Sequence, residues 1–314
     1  MNELYQELKK YGRVKANEPL AKHTTFKIGG PAEFLVIVEE ADKLADLLNF
    51  LNGEGTAWRI IGGGSNVLAP DEGLPGVIIK VSGGKVEATG ETLVADAGAR
   101  FAEAVEAASK NSLSGLEWAV GIPGTIGGAI RGNAGALGFS IGQSVEKVLV
   151  WQNGEATEMS ANDCEFNYRE SVFKKQGGVI ILKIWLKLIK KEPKDIIRLI
   201  QENTLGRARR LPTEPSAGSF FKNISLNDWK GDTASLPPNF IARKFVPAGW
   251  LIEQSGLKGE RVNDAAVSDK HGNFIVNLGR ASQADVLSLV EKIKEKVYNK
   301  YGIWLEPEVE ILKP

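Results

Sequence analysis

At 314 residues, 43% of them hydrophobic, the chain is too long for one compact core and is expected to fold as two or three domains. Lys+Arg and Asp+Glu number 39 each, and this zero net charge excludes the charge excess that drives bulk affinity for nucleic acid or a membrane surface. A lone cysteine, Cys164, forms no internal disulfide, and two histidines, His23 and His271, are too few for most zinc sites, so no metal is expected.

The first residues, MNELYQELKKYG, place Leu4, Leu8 and Tyr11 at helical spacing over 2–11 and lack the apolar core of a leader. No apolar run reaches membrane-spanning length, and a cytoplasmic protein is expected. A Gly29-Gly30-Pro31 turn leads into a strand over 33–38, followed by a helix over 41–52 and a buried strand over 57–61. That order suits a βαβ unit, and it delivers a glycine stretch, Ile60 to Leu68, reading IIGGGSNVL. The stretch lacks the spacing of a dinucleotide fingerprint and the lysine of a P-loop. Strands follow over 76–81 and 93–97, and RFAEAVEAASK at 100–110 is a helix by alanine content and period.

A second and longer glycine stretch occupies 115–138, GLEWAVGIPGTIGGAIRGNAGALG, with eight glycines. With few side chains to pack, its backbone is the expected working surface, because glycine permits close approach and positive φ. Successive exposed N–H groups would form a concavity suited to phosphate, and two such stretches suit a pyrophosphate. Strands are expected over 145–151 and 155–159, and an apolar strand over 179–188 carries lysines that mark an exposed edge or face. After a helix over 194–206 the composition changes at Arg207 to Ser219, where arginines, prolines and small residues fit a domain boundary. These arginines read equally as a solvated charge run or as anion contacts. A helix over 248–255, a strand over 273–276, a helix over 282–301 with Ser282 and Asp285 as an imperfect capping box, and a closing strand over 303–312 complete the chain.

HTTFKIGGPA, IGGGSNVL, GIPGTIGGA with NAGALG, NYRESVFK, PSAGSFFKN, AGWLIEQSGLKG, VSDKHGNFIVN and LEPEVEIL occur in this order along nearly the whole chain. In these segments the chain resembles the UDP-N-acetylenolpyruvoylglucosamine reductase family, in its short-loop type. The resemblance implies an α+β protein with a vanillyl-alcohol-oxidase-type FAD-binding fold of two lobes, 1–83 and 84–204. A substrate-binding α+β domain would span 205–304, and a terminal strand over 305–314 would carry a catalytic glutamate. It implies a flavoenzyme of peptidoglycan precursor synthesis that uses NADPH and FAD to reduce the enolpyruvyl ether of UDP-N-acetylglucosamine to UDP-N-acetylmuramate.

The resemblance places flavin contacts at Ile61, Gly62, Gly63, Gly64, Ser65 and Asn66, and again at Gly121, Ile122, Pro123, Gly124, Thr125, Gly127, Gly128, Asn133, Ala134 and Gly135. Neither stretch contains His or Cys, which favours non-covalent FAD. Arg169 matches the family arginine that steadies the developing enolate, Ser219 the proton donor, and Glu308 a third catalytic group. Asn223, Lys270 and His271 match substrate contacts. Read without the resemblance, Ser219 suits a turn cap after Gly218, and strand alternation would put Glu306, Glu308 and Glu310 on one face without choosing among them. The chain departs from the family pattern at Lys27, Arg131-Gly132, Leu137-Gly138-Phe139 and Asn263-Asp264. Two other readings share part of this pattern: an FAD-dependent oxidase of another small substrate, and a nucleotide- or flavin-binding module without turnover.

Overall fold

The computed structural model describes residues 3–314, and they cluster into two compact units. The first comprises 3–18, Ala32–Gly63 and Pro75–Arg209; the second comprises Pro19–Pro31, Gly64–Leu74 and Arg210–Pro314. This partition differs from the expected continuous segments. Two short pieces from the first eighty residues join the C-terminal hundred, because the apolar side chains Phe26, Ile28 and Leu68 are buried in that unit's core.

Two sheets build the first unit. One has four strands, ordered Arg13–Pro19, Pro31–Val38, Leu74–Val81 and Trp58–Ile61, the last two parallel. The expected βαβ pairing is therefore interrupted, since Leu74–Val81 lies between the two strands that the helix Ala41–Gly53 connects. That helix buries Leu44, Leu47, Leu48 and Leu51, one stripe at helical spacing, among Phe34, Val36, Val77 and Ile79. Trp151 and Leu182 of the second sheet join the same cluster, and Trp151 Nε1 donates to Asn49 Oδ1 at 2.9 Å.

The second sheet has five antiparallel strands, ordered Glu155–Ser160, Val145–Gln152, Ile180–Lys187, Thr92–Asp96 and Val86–Thr89. Ile180–Lys187 is thus central. Its lysines mark a face, with Lys183 set 3.5 Å from Asp96 and Lys187 3.2 Å from Glu91.

The second unit pairs a four-stranded sheet, ordered Ser216–Ser219, Phe274–Asn277, Ala265–Val267 and Arg261–Val262, with the helix Gln283–Tyr301. Val286, Leu289, Val290, Ile293 and Val297 form the buried stripe of that helix. Its capping box closes as the spacing predicts: Ser282 Oγ accepts from Asp285 N at 3.0 Å, and Asp285 Oδ2 accepts from Ser282 N at 2.9 Å. The closing strand is shorter than expected. Only Glu310–Ile311 is strand, parallel to Val67–Leu68, while Pro307 makes an isolated antiparallel bridge to Phe221.

The N-terminal helix spans Glu3–Leu8, and the expected start at Asn2 lies outside the described residues. Among the described residues no helix is long and apolar enough to cross a membrane, and no cluster of His, Cys, Asp and Glu could hold a metal. Cys164 is buried, its Sγ 3.2 Å from the Ser160 carbonyl, and burial with the neighbouring Asp163 charge pushes its thiol up to about 11. Since the thiolate is the nucleophile, a disulfide reagent at pH 8 is expected to leave the native protein unlabelled and to titrate one thiol after denaturation. Labelling of the native protein within minutes would place the thiol at the surface instead.

Candidate active site

Within the first unit the two glycine stretches meet backbone to backbone. A Cβ on Gly62 would stand 2.4 Å from Thr125 Oγ1, and one on Gly63 2.5 Å from the Cα of Gly124. Only glycine tolerates such an approach, which explains both runs at once. Thr125 caps the helix Ile126–Arg131, its Oγ1 accepting from Gly128 N at 3.3 Å.

The amides of Ile126 and Gly127 donate to the carbonyls of Ala99 and Ala97, each at 2.9 Å, and that of Ile122 to Ala119 at 3.0 Å. The expected concavity of exposed amides is therefore corrected at Ile122, Ile126, Gly127 and Gly128, whose N–H groups are consumed by a turn, two loop contacts and a helix cap. These residues contribute shape. The approach to the loop is braced by buried Glu117, which accepts from Ser114 Oγ at 2.5 Å and Gly115 N at 2.8 Å. Asn203 and Arg207 of the helix Pro193–Arg210 donate to the carbonyls of Glu117 and Gly121 at 3.0 and 3.3 Å, so Arg207 holds backbone in place.

Arg169 sits in a four-residue turn closed by reciprocal bonds between Asn167 and Glu170, each 3.1 Å, and has φ 57°. Its Nη2 donates to the Gly135 carbonyl at 2.9 Å, and its guanidinium carbon stands 5.6 Å from the centre of the Tyr168 ring. Gly135 lies at the base of the hairpin formed by Gly135–Ala136 and Phe139–Ser140. Leu137 and Phe139 of this hairpin, and Tyr168 beside the arginine, are exposed.

In the second unit the strand Ser216–Ser219 places Ser219 opposite Phe274. Beyond it, buried Asn273 takes over the role of a partner strand: its carbonyl accepts from Phe220 N at 2.7 Å, while Oδ1 and Nδ2 bond Phe221 N and O at 2.9 and 2.8 Å. Phe220 in turn accepts from Glu308 N at 2.8 Å. The structure thus brings the backbones beside Ser219 and Glu308 together, with Asn66 Nδ2 donating to the Glu308 carbonyl at 3.2 Å. Glu306 pairs with Lys222 Nζ at 2.7 Å, Glu308 follows the isolated bridge of Pro307 to Phe221, and Glu310 belongs to the short strand.

Thr25 completes the second unit's share of the first glycine stretch. Its amide donates to the Gly64 carbonyl at 3.0 Å and its hydroxyl to the Ser216 carbonyl at 2.7 Å. Asn223 Oδ1 accepts from Ala248 N at 3.2 Å, the start of the helix Ala248–Gln254, and Lys270 is exposed. His271 Nδ1 accepts from Asn273 N at 3.2 Å, which leaves the proton of the neutral ring on Nε2.

Comparison with known proteins decides the family. Residues 211–312 match the model for the UDP-N-acetylenolpyruvoylglucosamine reductase C-terminal domain, and 31–155 match an FAD binding domain. A curated reductase of that name from Bacillus subtilis (strain 168) is 39% identical over 318 residues, covering 99% of each chain. The chain belongs to the UDP-N-acetylenolpyruvoylglucosamine reductase family. Another reductase of that name, from Carboxydothermus hydrogenoformans, is 41% identical over 95% of this chain and 94% of its own. The crystal structure of the reductase from Thermus caldophilus superposes with a TM-score of 0.78 at 34% identity, over 96% of this chain and 99% of that one.

Within this reductase family pattern, sequence reasoning overlooked Thr25, Asn273 and Asn277. All three lie in these family segments, and each carries an amide or hydroxyl that needs partners, at a buried position for Asn273 and Asn277 and a half-buried one for Thr25. Asn277 donates to the Phe26 carbonyl at 3.1 Å and accepts from Gly279 N and Ala281 N at 2.8 and 3.0 Å.

Burial holds the His271 pKa below 6.5; Glu253 opposes this, and Arg210 and Lys258 add to it. The unfolded chain therefore binds the proton first, and this residue removes stability as pH falls through 6.5 toward its lower folded value. His271→Gln is expected to flatten the decline of the thermal midpoint between pH 7.5 and 5.5; parallel declines in the two proteins would refute the assignment.

Proposed function

We propose that this chain is a cytoplasmic flavoenzyme that reduces the enolpyruvyl ether of UDP-N-acetylglucosamine to the lactyl ether of UDP-N-acetylmuramate, with NADPH as reductant and non-covalent FAD, in peptidoglycan precursor synthesis. The observation that carries this reading is near full-length kinship with reductases of that name in a chain that keeps Arg169, Ser219 and Glu308 in the family's motifs. The first unit carries most of the flavin contacts and Arg169, and the second carries Ser219, Glu308 and the substrate contacts Asn223, Lys270 and His271.

The glycine stretches fit the cofactor. Gly62, Gly63 and Gly124 pack so closely that no side chain can intrude, while a Cβ on Gly218, beside Ser219, would meet nothing within 4 Å. The residues that would hold FAD are Ile61 to Asn66 in the first stretch and Gly121 to Gly135 in the second, with the latter acting through shape where its amides are already used. Bound there, FAD would supply the redox chemistry, taking a hydride from NADPH for delivery to the methylene carbon of the enolpyruvyl group.

Negative charge then develops on the adjacent carbon and its carboxylate. Arg169 meets that charge as a planar cation whose fork of donors suits two carboxylate oxygens, a contribution of about 3 kcal/mol for one well-placed group. Ser219 Oγ gives its proton to the carbanion-like carbon, a transfer that a weak acid makes only when held in place. Asn273 fixes the backbone that follows it, through Phe220 N and Phe221 N. Glu308, tethered through its amide to Phe220, holds the enol by a hydrogen bond. Asn223, Lys270 and His271 contact the sugar nucleotide.

The test is oxygen-free NADPH oxidation by the FAD-loaded protein, with and without the enolpyruvyl sugar nucleotide. Oxidation is expected to be sustained only with it. In Ser219→Ala, turnover should fall by about 10²- to 10⁴-fold while NADPH still bleaches the flavin. Turnover near the wild-type rate would remove Ser219 from its role, and a flavin that NADPH reduces but the sugar nucleotide leaves reduced would favour an oxidase.

A further inference from the structure

Two buried side chains, Asn133 and Ser171, grip the turn that carries Arg169. Asn133 follows the helix Ile126–Arg131 with φ 42°, and the paired bonds Ala134 N to Ala129 O at 2.8 Å and Asn133 N to Ile130 O at 3.1 Å make this a Schellman end. Asparagine suits that backbone conformation without any use of its side chain. Here the residue is 6% exposed, and both ends of its amide are engaged: Nδ2 donates to the Asn167 carbonyl at 2.7 Å, and Oδ1 accepts from Gly142 N at 3.0 Å. Gly142 is held close, since a Cβ there would stand 2.9 Å from Asn133 Oδ1 and 2.7 Å from Phe166 Cγ.

On the other flank Ser171, 0% exposed, donates its hydroxyl to the Arg131 carbonyl at 2.6 Å. That carbonyl belongs to the last helical turn, which leaves its acceptors without intrahelical partners. The turn 167–170 is therefore fastened before and after Arg169 to one short segment, 131–133. Two residues beyond that segment, Gly135 accepts from the guanidinium itself. Lys174 Nζ adds a bond to the Arg169 carbonyl at 3.3 Å. A positive φ at a non-glycine residue is strained and persists only where its surroundings over-determine it, and these bonds supply that determination.

We propose that Asn133 and Ser171 are positioning residues for Arg169, aiming its guanidinium at the substrate carboxylate by clamping its turn to the end of the helix Ile126–Arg131. This rests on the role given to Arg169 above. In this role the Asn133 side chain serves the arginine, and the residue's place among the flavin contacts comes from its neighbours on the loop.

The test compares Asn133→Gly, which tolerates the positive φ but removes the amide, with Ser171→Ala and Arg169→Ala, and with each of the first two combined with the third. In the FAD-loaded proteins, flavin reduction by NADPH and reoxidation by the enolpyruvyl sugar nucleotide are followed separately without oxygen, and substrate affinity is measured by calorimetry. Because misplacement of a reacting group by about 1 Å costs on the order of a hundredfold, reoxidation in Asn133→Gly and Ser171→Ala should slow by about ten- to a hundredfold with weaker substrate binding, while reduction in Ser171→Ala stays within about twofold. In the Arg169→Ala background each change should add less than about twofold, as expected of groups acting through one another.

Wild-type reoxidation in both single variants alongside a slow Arg169→Ala protein would overturn the clamp and leave the role of Arg169 standing. A fast Arg169→Ala protein would overturn both. Equal losses in the two half-reactions, or effects that multiply with Arg169→Ala, would show that the pair supports the fold or flavin pocket instead. Should Asn133→Gly fail to fold, Ser171→Ala, which removes a single hydroxyl, carries the comparison alone.

Discussion

The approach of Gly63 to Gly124, too close for any Cβ, is the contact on which the candidate flavin surface depends. It sets one loop directly against another with no side chains interposed. Everything around it serves to hold the two backbones there. The Trp58–Ile61 strand delivers one, while Thr125, Ala97 and Ala99 anchor the other. The glycines are thus spent on proximity, and many of the amides that glycine-rich loops offer to ligands are spent on anchoring. What such a loop presents to a flat cofactor is mainly a smooth contour.

Asparagine does the corresponding work elsewhere. Asn273 and Asn277 in the second unit, and Asn133 in the first, each use both ends of a buried amide to fix backbone that carries no regular pairing. A primary amide offers donors and acceptors together, so one side chain substitutes for a missing neighbouring strand. This lets Ser219 stand at the end of a strand and still be held. The arrangement costs little so long as every buried polar atom is satisfied, and loss of one partner would leave the other exposed to the full desolvation penalty.

Regular elements were legible because their signals are local. Leu44, Leu47, Leu48 and Leu51, and the Ser282–Asp285 box, declare their helices within a dozen residues. The failures were those of non-local pairing. Nothing near 179–188 says that the strand is central, and nothing near Glu306 says that Phe221 faces Pro307 across an isolated bridge. The site divided along the same line. Its residue types stood out through the family motifs, whereas Thr25 reaching Gly64 and Ser216 joins three distant stretches that no periodicity links.

The two early pieces, Pro19–Pro31 and Gly64–Leu74, have a consequence for the order in which the molecule can be made. Phe26 and Ile28 leave the ribosome long before the sheet and helix that bury them, and the Asn277–Phe26 bond spans 251 residues. The N-terminal unit can consolidate during synthesis, but these apolar side chains must wait until the chain is almost complete. Such late, long-range closure slows folding and keeps a sticky segment exposed meanwhile. It also means that the C-terminal hundred residues, cut free at Arg210, would lack part of their own core.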